Sequence, residues 1–351
     1  MSATNSLRLF GASPLPREQP VPVELETVDC LLCGGGDQET VIVAGDRLTR
    51  IGGHFRVVRC RDCQLAFTNP RPTADSLGLF YPADYSPHSE KEPGGRPRPR
   101  WRRKLEIALL RQRFGYPPQP TDARTALTSW VARAVIRRTR AREHWVPFRA
   151  PGRLLDFGCG AAEFLKLMRD YGWTVEGLDL SPRVVDALRQ KAGFRAHLGT
   201  LPHPDIPAAS FDAITMWHSL EHVPCPQKVL RAASDALRTG GVLVVGVPNF
   251  ASWSFRQFQQ HWTGLALPRH LTHFTPPTLG HMVEASGYRV LSIEQVGRDG
   301  WIRKSAQRAV QGGEDSGRAR FLRWKWLAGP VARWTELTGQ ADTLRLLAEK
   351  V

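Results

Sequence analysis

The sequence holds no apolar run near the 18–20 residues that a membrane-spanning helix needs. Its N-terminus has no apolar signal core, so no secretion is implied, and a soluble cytoplasmic protein is the expectation. Internal repeats are absent, which excludes a solenoid. Acidic residues are scarce, 33 Asp and Glu against 48 Lys and Arg. The excess is local: residues 91–150 hold 16 Lys and Arg against 4 Asp and Glu. Such a block can attract nucleic acid, anionic lipid or a phosphorylated small molecule, or it can be a solvated helical face. A length of 351 residues with 42% hydrophobic content suits about two domains with a real core.

Six cysteines are present, and four fall as Cys30-x2-Cys33 and Cys60-x2-Cys63. Thiolates in two such knuckles can close a tetrahedral zinc site. Gly34-Gly35-Gly36 suits a tight turn around a metal, and Val41–Val43 and Phe55–Val58 read as strands, with room for two hairpins between the pairs. Four protein thiolates leave no open coordination position, so this zinc is expected to be structural. Cys225 reads as a bystander.

The run Leu154-Leu155-Asp156-Phe157-Gly158-Cys159-Gly160 reads as a buried strand and a glycine turn, followed by a helix. Glycines there allow close approach of a nucleotide-like cofactor, and the helix N-terminus adds partial positive charge. A second acid, Asp179, closes the next strand, where it can take both ribose hydroxyls. No glycine follows Gly160 before Gly172, so the nicotinamide-type G-x-G-x-x-G is incomplete. Strands are expected near 153–157, 174–179, 194–197, 211–216 and 242–247, with helices near 161–171, 182–191, 226–238 and 276–287. Tyr288–Gln295 and Thr343–Glu349 would be the last two strands. The segment 301–340 is basic and Trp-rich, shows no clear period, and reads as an insertion.

Four motifs in order, DFGCGAAEFL, GLDLSP, SFDAITMWHSLEHVP and LRTGGVLVVGVPNF, resemble the class I S-adenosylmethionine-dependent methyltransferases over roughly 150–300. The resemblance implies an α/β fold: a Rossmann-like seven-stranded sheet with helices on both faces, its last strand antiparallel. The CxxC…CxxC pattern followed by FTNPRP and FYPADY is similar to the zinc-ribbon leader of many bacterial methyltransferases of glycan and secondary-metabolite type. The organisation expected is a flexible 1–25, a zinc-ribbon module at 26–88, a basic linker and cap helices at 89–149, and the methyltransferase domain at 150–351. Within the cap, 101–114 and 124–145 read as basic helices that cover the active site or lie on an anionic membrane.

The resemblance places S-adenosylmethionine against Asp156, Gly158, Cys159, Gly160, Asp179, Leu180, Thr200, Leu201 and Trp217. The fourth strand ends in His218-Ser219-Leu220-Glu221-His222-Val223-Pro224, at a sheet edge that faces the ligand crevice. His222 or His218 can be a general base, since imidazole titrates near neutral pH. His218, Glu221 and His222 can instead bind a metal with a further histidine, as an E-x-x-E-H run does in some relatives. Or Glu221 and His222 form a hydrogen-bonded pair that orders the loop. The H-x-x-E-H spelling of a zinc protease is rejected, because the run sits at a strand tip before Pro224. A later aromatic stretch carries Arg269, suited to a phosphate or carboxylate, and His270, a second base or the missing ligand.

The expected reaction is methyl transfer to a small-molecule or glycan acceptor, foremost a sugar-derived hydroxyl, with the acceptor phosphorylated or lipid-linked in some versions. Sugar C-methylation is the alternative, weakened because Ser219 stands near the place where a tyrosine is expected. RNA methylation is another, weakened by the absence of a recognition module and of an Asn-Pro-Pro-Tyr strand tip.

Overall fold

A computed structural model describes residues 23–51, 53–82, 116, 145–149, 152–313 and 317–351. The expected flexible start and the basic linker and cap helices of 89–149 lie outside the described residues, apart from the few just given. Among the described residues, no helix is long and apolar enough to cross a membrane.

The sheet strands of the C-terminal part are β6 (Arg153–Phe157), β7 (Thr174–Asp179), β8 (Arg195–Leu198), β9 (Phe211–Trp217), β10 (Leu237–Pro248), β12 (Tyr288–Val296) and β13 (Thr343–Lys350). They form one sheet in the order β12-β13-β10-β9-β6-β7-β8. β13 alone runs antiparallel to its neighbours, and the other pairs are parallel. Both faces are covered, which is why β6 and β10 read as near-continuous apolar runs instead of alternating ones. Between β6 and β9 the direction of winding reverses, and a crevice opens at the carboxyl ends of those strands.

The connecting helices follow their local signals. In α3 (Pro182–Gln190), Ser181 accepts from the Val184 N–H, Pro182 opens the first turn, and Val184, Val185 and Leu188 face the sheet. Helix α2 (Glu163–Asp170) lies between β6 and β7, α4 (Pro226–Ala236) between β9 and β10, and α6 (Pro276–Glu284) before β12. Helix α5 (Trp253–Phe258) follows β10.

The 301–340 region is not irregular. It forms α7 (Asp299–Gln311), α8 (Gly317–Leu322) and α9 (Lys325–Leu337). Their inward faces rest mainly on Ala306, Ala309, Ala319, Ala328 and Ala332. A buried stripe of alanine carries little hydrophobic contrast, so the helical period was hard to read in the sequence.

The N-terminal module has strands β2 (Gln38–Gly45), β3 (His54–Cys60) and β4 (Ala66–Thr68), and a one-turn helix α1 (Ala74–Leu77). The stretch between the cysteine pairs has room for two hairpins and holds one long β2–β3 hairpin. Short strands β1 (Leu25–Glu26) and β5 (Arg71–Pro72) pair beside it. The module is also stitched to the large domain. Strand β11 (Thr272–His273) extends its sheet through β4, the Thr68 N–H donates to Leu271 O, and Arg71 Nη1 donates to Pro224 O at 2.8 Å.

Candidate active site

The Gly158–Gly160 turn lies at the mouth of the crevice. Both glycines have left-handed φ, +67° and +49°. A Cβ on Gly158 would lie 2.5 Å from Ser219 Cβ, so the turn is pressed against the tip of β9 and no side chain fits there. The Gly158 N–H donates to Leu178 O, and the Gly160 N–H donates to Asp179 Oδ2 at 2.9 Å. Asp179 Oδ1 accepts from the Ser181 N–H at 2.9 Å. Asp156 is buried at the end of β6, where Oδ1 accepts from the Thr215 hydroxyl at 2.6 Å. Burial, reinforced by the Asp179 charge, pushes Asp156 up to about 7. Two carboxyls so placed suit a ligand that brings positive charge and ribose hydroxyls.

Leu180 projects an exposed apolar side chain beside Asp179, and Thr200 is exposed beyond β8. Trp217 closes β9 with its ring against Phe164, centroids 5.6 Å apart. The Cys159 and Leu201 side chains are buried in the core. Cys159 Sγ lies 2.8 Å from where a Cβ of Gly177 would stand. Its thiol is held well above its ordinary value by burial and the two aspartates, which makes it a poor nucleophile.

The tip of β9 turns sharply. His218 takes φ +52° with its N–H on Gly246 O, and a 3₁₀ turn spans Leu220–His222. Glu221 is fully buried, and neither carboxyl oxygen has a hydrogen-bond partner among the described residues. Around it stand imidazoles. His218 Nδ1 is 3.4 Å from Oε1, and His270 Nε2 is 3.9 Å from the same oxygen. Burial drives Glu221 up to about 7, with His222 opposing. Burial and Arg298 drive His218 down to about 3. Burial also lowers His222, against the pull of Glu221, and lowers His270 further, helped by His222. The imidazoles are therefore neutral at neutral pH.

Their tautomers follow from partners that only accept or only donate. Nδ1 of His222 donates to Arg269 O at 3.0 Å, and Nδ1 of His270 donates to Gly264 O at 2.8 Å. Nε2 is then the unprotonated nitrogen of both. His218 is reversed: Nε2 accepts from Arg298 at 3.1 Å, so the proton sits on the Nδ1 that faces Glu221. Donor atoms of Glu221, His222 and His270 lie within 4.8 Å of one another. Two imidazoles anchored through Nδ1 to backbone carbonyls, plus a buried carboxylate, form a donor set that fits a divalent metal. His270 is the further histidine of this set, and His218 lies outside it.

Tyr81 was missed by the sequence reading. Its hydroxyl lies 2.8 Å from His222 Nδ1, delivered by the FYPADY segment behind the cysteine module. Arg269 corrects another expectation. It is buried, pairs with Asp46 Oδ1 at 3.0 Å and donates to Phe80 O. A buried guanidinium needs a buried partner, and Asp46, itself held low, supplies it. Arg269 therefore fastens the two parts of the chain and holds no acceptor anion.

The four cysteines converge as the spacing predicted. Their Sγ atoms lie within 4.8 Å of one another, with Cys30–Cys63 at 3.3 Å and Cys33–Cys60 at 3.5 Å. Tetrahedral zinc with bonds of about 2.3 Å needs sulfurs about 3.8 Å apart. The knuckles match: Gly34 and Gln64, each following the second cysteine of a pair, have φ +76° and +64°.

The sheet order, the glycine turn and the two strand-tip acids define a class I S-adenosylmethionine-dependent methyltransferase domain, joined to an N-terminal four-cysteine module. Residues 125–293 match the family described as "Methyltransferase domain". The chain is 30% identical over 133 residues to the ubiquinone biosynthesis O-methyltransferase of Xanthomonas axonopodis pv. citri, covering 36% of this chain and 56% of that one. It thus spans little more than half the length of the curated relatives it matches. Among solved structures it is similar to an S-adenosylmethionine-dependent methyltransferase from Mesorhizobium loti, at 19% identity and TM-score 0.41, over 64% of this chain and 98% of that one. It is also similar to a putative methyltransferase of Haloferax volcanii in complex with the activator Trm112, at 16% identity and TM-score 0.45, over 65% and 94%.

Proposed function

We propose that the protein transfers a methyl group from S-adenosylmethionine to a hydroxyl of a small sugar-derived acceptor, with His222 as the general base. Bound S-adenosylmethionine supplies an electrophilic methyl on a sulfonium. Asp179, Asp156 and the Gly158–Gly160 turn would hold it, and Leu180 and Thr200 would flank it. The observation that carries the reading is the neutral His222 beside buried Glu221, at the strand tip that touches the glycine turn through Ser219. Nε2 of His222 takes the acceptor proton, and Glu221 stabilises the imidazolium that results. Similarity to relatives named as O-methyltransferases supports oxygen as the acceptor atom. Net charge of +15 suits an acceptor that is phosphorylated or lipid-linked. The four cysteines would hold a structural zinc.

One observation favours a second reading. A phenol joined to an imidazole, as in Tyr81 and His222, also suits removal of a carbon-bound proton beside a carbonyl, the step that sugar C-methylation needs. Transfer of labelled methyl into fractionated extract tests these readings. Label in sugar-nucleotide, polysaccharide or lipid fractions supports the proposal, and label that survives ether cleavage by hydriodic acid, and so sits on carbon, selects the second form. Label confined to nuclease-sensitive material overturns both in favour of RNA.

A further inference from the structure

The outer face of the α7–α9 subdomain is built unlike an ordinary surface. Helix α9 turns Ala328, Ala332 and Thr335 inward. Leu327 and Val331 are partly buried, but Trp326, Pro330, Trp334 and Leu337 are exposed at intervals of four, four and three, a single helical stripe on which Trp334 also meets Trp253 edge-on. Trp326 and Leu337 are each 70% exposed, and Trp334 46%. At the corner where α8 meets α9, Phe321 is 62% and Trp324 52% exposed. The fully buried residues of α9 are small and its most exposed ones large and apolar, the reverse of a soluble surface helix.

Cations surround this patch. From 317 to 340 the sequence has Arg318, Arg320, Arg323, Lys325 and Arg333 against the single acid Glu336. The Arg323 guanidinium lies 5.4 Å from the Trp324 ring centre, and Arg333 pairs with Glu336 at 2.7 Å. Exposed tryptophans interspersed with Arg and Lys match the boundary between acyl chains and anionic headgroups. A second copy of this chain is a poorer occupant, because a two-fold contact would bring the same cations face to face.

We propose that the face formed by Phe321, Trp324, Trp326, Trp334 and Leu337 docks on an anionic lipid surface. The inference is separate from the identity of the acceptor, and it does not use the basic stretch at 91–150. Flotation of the full-length protein with vesicles tests it, using phosphatidylcholine alone and phosphatidylcholine with phosphatidylglycerol in equal parts. Binding is expected only to the anionic vesicles and is expected to fall as salt rises. Trp326→Ser with Leu337→Ser should lower the bound fraction roughly tenfold. Arg323→Glu with Lys325→Glu should do the same, while thermal midpoint and S-adenosylmethionine affinity stay at the parent's values. Equal binding by parent and variants overturns the proposal and moves lipid contact elsewhere in the chain. So does an absence of vesicle binding, whether light scattering then reports a monomer or a dimer that Trp326→Ser with Leu337→Ser splits.

Discussion

Tyr81 and His222 stand 141 residues apart in the chain, yet the phenol oxygen of one lies 2.8 Å from Nδ1 of the other. The N-terminal module thereby supplies part of the candidate pocket around His222. If His222 is the base and Tyr81 tunes its ring, Tyr81→Phe should lower kcat about tenfold and His222→Ala by a hundredfold or more. S-adenosylmethionine affinity, read by calorimetry, should stay unchanged in both. A loss confined to affinity would assign the pair to cofactor binding instead.

The cofactor turn makes a sharper case. Asp179 has both carboxylate oxygens held by backbone N–H groups, those of Gly160 and Ser181. Hydrogen bonds to a charged group contribute about 1.5–3 kcal/mol, so Asp179→Ala should weaken S-adenosylmethionine at least tenfold. Gly158→Ala places a methyl where Ser219 already stands and should weaken it comparably. The double substitution Gly158→Ala with Ser219→Gly should restore part of the loss, and failure to do so would refute the steric account.

Elements whose local and global signals agree were legible in the sequence. The strands β6, β7, β9 and β12 and helix α3 fall within a residue or two of expectation, because each joins a strong apolar pattern to a clear stop such as Gly158, Asp179 or Pro182. The cysteine cluster was legible because metal geometry fixes ligand spacing. What was hidden depends on distant pairing. Nothing in FYPADY announces that Tyr81 meets His222, and nothing around Arg269 announces Asp46, more than two hundred residues upstream. Contacts of that separation follow from how β4 and β11 pair, a register that neither two- nor three-residue segment encodes alone.

That pairing joins the cysteine module to the loop that carries His270. The protein as purified should hold one zinc per chain, and Cys60→Ser should abolish it, checked by elemental analysis. Cys60 ends β3, which carries β4 and through it β11, so loss of the metal should loosen the loop that presents His270 and Arg269. Activity should fall with zinc content and thermal stability should drop by several kcal/mol. Full activity in a zinc-free variant would separate the module from the pocket.

Glu221 offers the last discrimination, between a lone base and a metal centre. A carboxyl raised from 4.5 to about 7 binds more protons folded than unfolded between those values. Its favourable contribution is therefore complete below about pH 4.5 and is lost as pH rises through 7. The lowered His218 imidazole acts in the opposite sense, with stability gained as pH climbs from about 3 towards 6.5, and the lowered His222 acts in the same direction. Comparing parent with Glu221→Gln isolates the acid. In chelator-treated protein the two should match near pH 4.5, and at pH 8 the glutamine form should be more stable by up to about 3 kcal/mol. Adding zinc or manganese at pH 8 reverses that order if Glu221, His222 and His270 bind it, because an ionised carboxylate then has a cation beside it. If no added metal changes the gap, His222 works without one.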